Sequence, residues 1–188
     1  MKRLLFVSFV ILPVLCGCAS SKNATVHGST HASNTTTVRE EAPQRSKFAE
    51  QSTWVLGYFT LDRIKREPHS EWFTKEYNDY RFNSESVDVL MGMPKDDLTI
   101  KVVLGTWCPD SHKQTPRFMK IIDAWEFPVS EMTFIGVDDA KVCPIAEYEG
   151  LNIQRVPTFI FYRNNIEAGR IIENPVTSLE QDMVNILK

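Results

Sequence analysis

The chain has 188 residues, 43% hydrophobic and 24% charged, which sets the expectation of one globular domain with appendages. Its 21 Lys and Arg stand against 24 Asp and Glu, a net charge of −3, and this acidic balance argues against nucleic acid as a partner. The four cysteines, Cys16, Cys18, Cys108 and Cys143, include no Cys-x-x-Cys pair and no Cys/His grouping with zinc spacing. Neither a bound metal nor a disulfide framework is therefore expected.

Met1-Lys2-Arg3 is a short basic region, and residues 4–15 form an apolar stretch broken only by Ser8 and Pro13. About a dozen residues is too short to span a bilayer, so residues 1–17 are expected to be a secretory signal peptide. The end of this stretch, Leu15-Cys16-Gly17-Cys18, resembles the bacterial lipobox, in which a small residue precedes the cysteine that becomes acylated. Gly17 before Cys18 fits that pattern, and Leu15 before Cys16 does not. Cys18 is thus the expected lipidation site, holding the chain to a lipid bilayer of the bacterial cell envelope with the rest facing the periplasm or exterior. The alternative is an ordinary signal peptide and a soluble secreted protein.

Residues 18–47 are rich in Ser, Thr and Asn, with no aromatic residue before Phe48. Such a segment cannot bury enough apolar surface to offset its ordering entropy, and it is expected to be a disordered tether. His27 and His31 would suit a metal only on a helix, which nothing here favours. Residues 48–97 read as an N-terminal extension packing on the core that follows, over one edge or face of its sheet. Within it, residues 54–60 suit a strand, the aromatic-rich stretch 71–80 suits packing on a core or binding a partner, and Ser84 is a plausible N-cap for a short helix ending at Met91.

Residues 100–104 are a β-branched and apolar run that reads as a buried strand. Gly105 and Thr106 break it, Cys108 follows, and Pro109 stands where a helix places its first residue, its missing N–H costing nothing there. Phe118, Met119, Ile121, Ile122 and Trp125 then recur at helical spacing. A cysteine at such a junction faces the positive end of a helix dipole and several unpaired N–H groups, a setting that favours thiolate over thiol. His112 is a second group able to favour the charged form. Cys108 is expected to be semi-exposed, with the rest of the chain holding, shielding and delivering it.

Farther on, residues 132–137 read as a strand and 143–150 as a short helix stopped by Gly150. Residues 158–162 form a strand, Asn164-Asn165 a tight turn, and 166–172 its hairpin partner. The last helix opens with Ser178-x-x-Gln181, a capping-box pattern, and buries Leu179, Met183, Ile186 and Leu187. This order predicts an α/β fold, a mixed central sheet with helices on both faces.

Trp107-Cys108-Pro109-Asp110-Ser111 resembles the Trp-Cys-x-x-Cys active site of the thioredoxin superfamily, with serine in place of the second cysteine. Pro116, eight residues after Cys108, falls where that family carries a proline in its active-site helix. Residues 156–162 are similar to the family segment that opens on a cis-proline and continues as a strand. The resemblance covers residues 98–188 and implies a thioredoxin-like core. It further implies that Cys108, Ser111 and Pro157 form the catalytic set and that Trp107, Pro109 and Val156 meet the substrate. Pro157 would be cis, with the Val156 backbone free to pair with an extended substrate segment. No cofactor is implied.

Two departures accompany the resemblance. Ser111 cannot resolve a mixed disulfide, and Val102 stands where thioredoxins bury an acidic residue; nor does Gly105 match the threonine of the peroxiredoxin pattern. Turnover would then end through a small-molecule thiol, a second cysteine of the substrate protein, or Cys143 as a second thiol. Cys143 follows a strand whose end faces the same sheet edge as Cys108. A bond between the two requires Cα atoms within about 7 Å, and the alternative is a buried structural thiol. Two functional readings remain: membrane-tethered, extracytoplasmic monothiol exchange on protein thiols or disulfides, or a redox-inactive thioredoxin-fold module that binds a protein through the Pro157 groove.

Overall fold

The structure, a computed structural model, describes residues 53–188. The expected signal peptide, the lipidation site at Cys18 and the tether lie outside the described residues. The elements in chain order are β1 (Gly57–Phe59), α1 (Ser70–Asp79), α2 (Ser84–Met91), β2 (Leu98–Leu104), α3 (Pro109–Ala124), β3 (Met132–Gly136), β4 (Thr158–Arg163), β5 (Ile166–Ile172) and α4 (Leu179–Leu187). The strands form one sheet in the order β1-β3-β2-β4-β5, parallel between β2 and β3 and antiparallel elsewhere. The mixed central sheet expected from the order of elements is present; of the helices expected on both faces, the four α-helices share one face and the 3₁₀ turn at Glu149–Leu151 lies on the other.

β2 is the middle strand, and its alternation sorts the core into two layers. Ile100, Val102 and Leu104 face one layer, with Phe134, Phe159, Phe161 and the apolar faces of all four α-helices. Val103 faces the other, with Ile135, Ile160, Val137 and the segment 137–156. Phe118 of α3 stacks on Phe159 at 4.1 Å between ring centres, which seats the helix that follows Cys108 flat on the sheet.

The helix expected over residues 143–150 is absent. This segment instead makes a chain of three-residue turns, Tyr148 N–H to Ile145 carbonyl (3.1 Å) and Leu151 N–H to Tyr148 carbonyl (2.9 Å), ending as a 3₁₀ turn at Glu149–Leu151. The reason lies in spacing. Ile145, Tyr148 and Leu151 recur every third residue, which suits 3₁₀ geometry. The stretch is also too short to repay α-helix nucleation. Asn152, with φ of 51°, closes it where Gly150 was expected to.

Helix starts are set by side-chain caps. α2 is capped by Asn83 and not by Ser84: the Asn83 Oδ1 accepts from the Ser86 N–H at 3.3 Å. Ser178 caps α4 by accepting from the Gln181 N–H at 3.3 Å. The Gln181 side chain does not complete the box; its Oε1 accepts from the Ser86 hydroxyl at 2.9 Å and so joins α4 to α2.

The residues before β2 are built into the same fold. β1 pairs with β3 at the sheet edge, α1 packs on α3, and α2 packs on α4. Arg117 of α3 meets Glu76 of α1 at 2.6 Å and lies over the Tyr80 ring. Glu180, at the start of α4, is buried, and it accepts from the Tyr80 hydroxyl at 2.8 Å and the Asn83 N–H at 2.7 Å. Burial, and then this carboxylate, hold the Tyr80 hydroxyl far above the ordinary phenol range. Replacing Glu180 by Ala strands both donors and is expected to cost about 2–3 kcal/mol in denaturant unfolding, against about 1 kcal/mol for Tyr80→Phe. Equal, sub-kilocalorie effects would show that the bonds contribute nothing net.

Candidate active site

β2 ends at Leu104, and the chain turns at once: the Cys108 N–H donates to the Gly105 carbonyl at 3.0 Å, closing a four-residue turn. Gly105 is required by close approach. A Cβ there would stand 2.6 Å from Cε2 and Nε1 of the Trp107 indole. Trp107 is held in that place by its Nε1–H, which donates to the Val137 carbonyl at 3.0 Å.

The turn is fixed from three further sides. The fully buried Ser111 hydroxyl accepts from the Gly105 N–H at 3.2 Å. The Thr106 hydroxyl accepts from the Val55 N–H at 3.1 Å. The Thr106 carbonyl lies 2.7 Å from His112 Nε2.

Cys108 is the N-cap of α3, with Pro109 at the first helical position. The Cys108 carbonyl accepts from the His112 N–H at 3.0 Å, the first bond of the helix. Its sulfur does not cap the helix; it donates to the Val156 carbonyl at 3.3 Å. The expectation of a semi-exposed thiol is corrected: Cys108 is only 6% exposed, because Val156 and Trp107 close over it. The Val156–Pro157 peptide is cis. A cleft of 340 Å³ opens on the sulfur, lined by Trp107, Cys108, Lys141, Gln154, Arg155, Val156 and Glu173. Arg155 and Glu173 form an ion pair of 2.8 Å on its rim. A larger hollow of 530 Å³, near Lys95 and Asn164, lies at the opposite end of the strands and is lined by neither Cys108 nor Cys143.

The structure therefore gathers Trp107, Cys108, Val156 and Pro157. Pro109 is exposed and does not line the cleft, and Ser111 is buried beneath the turn, its oxygen committed to the Gly105 N–H. Cys143 is a free, buried thiol in a neighbouring cleft of 390 Å³ that shares Lys141 and Gln154 with the first. Burial, with Asp138 and Glu147 nearby, pushes its thiol up, against a lowering bond from the Ile145 N–H. A raised thiol disfavours the thiolate form.

Sequence reasoning missed the supporting residues. Trp72 of α1 stacks on His112 at 4.5 Å and 13°, and Trp54 approaches Trp107 at 6.4 Å. Aromatic composition marked the stretch with Trp72 for packing and Trp54 fell in an expected strand, but no local signal placed either here. Lys141, Gln154 and Arg155 were within reach of inference, since two of them immediately precede Val156.

No protein-family profile matches the chain. A protein of Dictyostelium discoideum named "Putative thioredoxin-5" is 33% identical over 92 residues, spanning 48% of this chain and 82% of that protein. The chain belongs to the thioredoxin superfamily. Among solved structures, thioredoxin O2 of Arabidopsis thaliana is similar at 18% identity and a TM-score of 0.37, covering 56% of this chain and 89% of its own. A thioredoxin of Trypanosoma brucei brucei is similar at 26% identity and a TM-score of 0.34, covering 56% and 87%.

For a thioredoxin-superfamily member the site is spare in ionisable groups. Val102 is fully buried under α3 at the position where thioredoxins carry an acid, and Ser111 braces a turn at the position of their second thiol. His69 is buried against Trp72, the ring that stacks on His112. One ring N–H donates to the Thr53 carbonyl, and Nε2 has no partner among the described residues. Burial, then Arg63 and His112, hold its pKa below the ordinary value of 6.5.

Two outcomes are expected. Gly105→Ala must displace the Trp107 indole, and it should cost about 1–3 kcal/mol and change the tryptophan fluorescence; an unchanged spectrum would contradict the contact. At His69 the native ring stays neutral where the unfolded one takes a proton, so unfolding binds a proton and stability falls as pH drops below about 6.5. Urea titrations at pH 7 and pH 5 should show a smaller acid loss for His69→Leu than for the unmodified chain. Parallel losses would remove His69 as the cause.

Proposed function

We propose that the protein exchanges thiols and disulfides through Cys108 as its single reactive thiol, outside the cytoplasm and tethered to a membrane through Cys18. The observation that carries this reading is the placement of one sulfur. Cys108 stands at the N-cap position of α3 inside a cleft walled by Trp107 and Val156, beside the cis Val156–Pro157 peptide, with a hydroxyl and not a thiol three residues on.

In the first step the Cys108 S–H leaves the Val156 carbonyl and gives its proton to water. The thiolate, at the positive end of α3, attacks one sulfur of a substrate disulfide. An S–S bond forms to Cys108, the substrate S–S bond breaks, and the other substrate sulfur departs as a thiolate that regains a proton from water. In the second step an external thiol attacks the mixed disulfide and leaves joined to the substrate sulfur, and Cys108 is restored as a thiol. That external thiol is a low-molecular-weight thiol or a second cysteine of the substrate protein. With a low-molecular-weight thiol each cycle consumes one such thiol and leaves it joined to the substrate sulfur; with a second cysteine of the substrate none is consumed, and the disulfide closes within that protein. Cys143, raised by burial in its own cleft, takes no part.

The basic start, the apolar stretch and Gly17-Cys18 support the anchor and the extracytoplasmic location.

Incubated with 2-hydroxyethyl disulfide, the chain should carry one mixed disulfide at Cys108 that persists until an external thiol is added. Intact-mass analysis reads it; Cys108→Ser should abolish it and Cys143→Ala should leave it unchanged. A Cys108–Cys143 bond would overturn the single-thiol mechanism, and an unmodified Cys108 would move the assignment to a protein-binding module. Expressed in a bacterial host, the full chain should partition into detergent and Cys18→Ser into water; identical partition sinks the anchor.

A further inference from the structure

The Gly105–Cys108 turn has one peptide plane at its centre, between Thr106 and Trp107. The type of a β-turn is the orientation of that central plane, and the outer hydrogen bond can persist while the plane rotates. Here the Gly105 carbonyl accepts from the Cys108 N–H and the Ser111 hydroxyl accepts from the Gly105 N–H, so the outer frame is tied. Neither bond holds the Thr106 carbonyl. His112 does, at 2.7 Å.

A carbonyl only accepts, so His112 Nε2 carries the proton in this contact. The ring reaches the carbonyl because of where two elements put it. It stands one helical turn beyond Cys108 on α3, and its face lies on Trp72 of α1 at 4.5 Å and 13°. Trp72 rests in turn against the buried His69 ring at 5.9 Å. The imidazole is therefore clamped between a helix of the extension and the turn that carries the nucleophile.

We infer that His112 is a positioning residue for Cys108: its Nε2–H holds the central peptide of the Gly105–Cys108 turn in one orientation and so fixes the sulfur at the mouth of the cleft. It touches neither the sulfur nor a substrate, and its effect passes through the Thr106 carbonyl. The segment before β2 is by the same argument part of the active site, since α1 supplies the surface that orients the ring and Val55 secures the Thr106 hydroxyl. The inference rests on Cys108 as the reacting group of the proposed exchange.

The decisive variants separate the stack from the bond. His112→Phe keeps an aromatic ring on Trp72 and has no N–H to donate; His112→Gln gives up the stack and keeps a donor of similar reach. In a Cys143→Ala background, the rate of Cys108 modification by iodoacetamide and by 2-hydroxyethyl disulfide is measured for each. His112→Phe should slow both about tenfold, the worth of one hydrogen bond to an otherwise unpaired carbonyl, and His112→Gln should recover most of the loss. Unfolding midpoints report whether either substitution acts only on the fold. Equal rates for all three chains, or loss in both variants alike, would overturn the inference.

Should His112→Phe fail to fold, ¹⁵N imidazole shifts of the unsubstituted chain still decide the point. An Nε2–H tautomer upholds it and an Nδ1–H tautomer refutes it. Absence of any disulfide exchange in the unsubstituted chain would strike the proposed function instead, and iodoacetamide rates would continue to test His112.

Discussion

The antiparallel pairing of β2 with β4 is the constraint from which the site follows. Its register sets Val103 against Thr158, so the last residues of β2 lie beside the first of β4. The chain leaving β2 into its turn must run alongside the chain entering β4 through Pro157. Cys108 and Val156, 48 positions apart, meet for that reason alone. A slip of one residue would turn Val102 and Phe159 out of the helix-covered layer and expose that apolar face, which is why the register is so firmly specified. The geometry around Cys108 is a by-product of core packing.

On that frame the two faces of the sheet do different work. The helix-covered face carries most of the buried volume, including Trp125, Phe118, Phe159 and Phe161. The other face is covered by 137–156, a segment held by short turns and by Asn152 and Lys141 in the left-handed region. The cleft opens on this second, more lightly built side. Of the thiols among the described residues, Cys108 and Cys143 lie in its apolar layer, and Cys108 alone sits at a helix start.

Much of the fold was legible in the sequence because it rests on local rules. The β-branched apolar run of residues 100–104, Pro109 at a first helical position, Ser178 as a cap and Asn164-Asn165 as a turn each specify their own geometry. The segment 143–150 escaped because its three-residue spacing resembles a short amphipathic helix until length is weighed. Cys108 itself was found at once, yet its burial was not, since the covering groups, Val156 and Trp107, act across the sheet and across the turn. The support for the turn was the least visible part. Val55, Trp72 and His112 come from three separate stretches, and no periodicity connects them.

The glycine at 105 carries an implication for how such a site can change over generations. Trp107 lies where a side chain at 105 would have to be, so the two positions behave as one unit and their substitutions are not independent. A lineage that gains a side chain at 105 first passes through a strained intermediate. One that first shrinks the residue at 107 does not. Drift through this motif therefore has a direction, with the tryptophan yielding before the glycine.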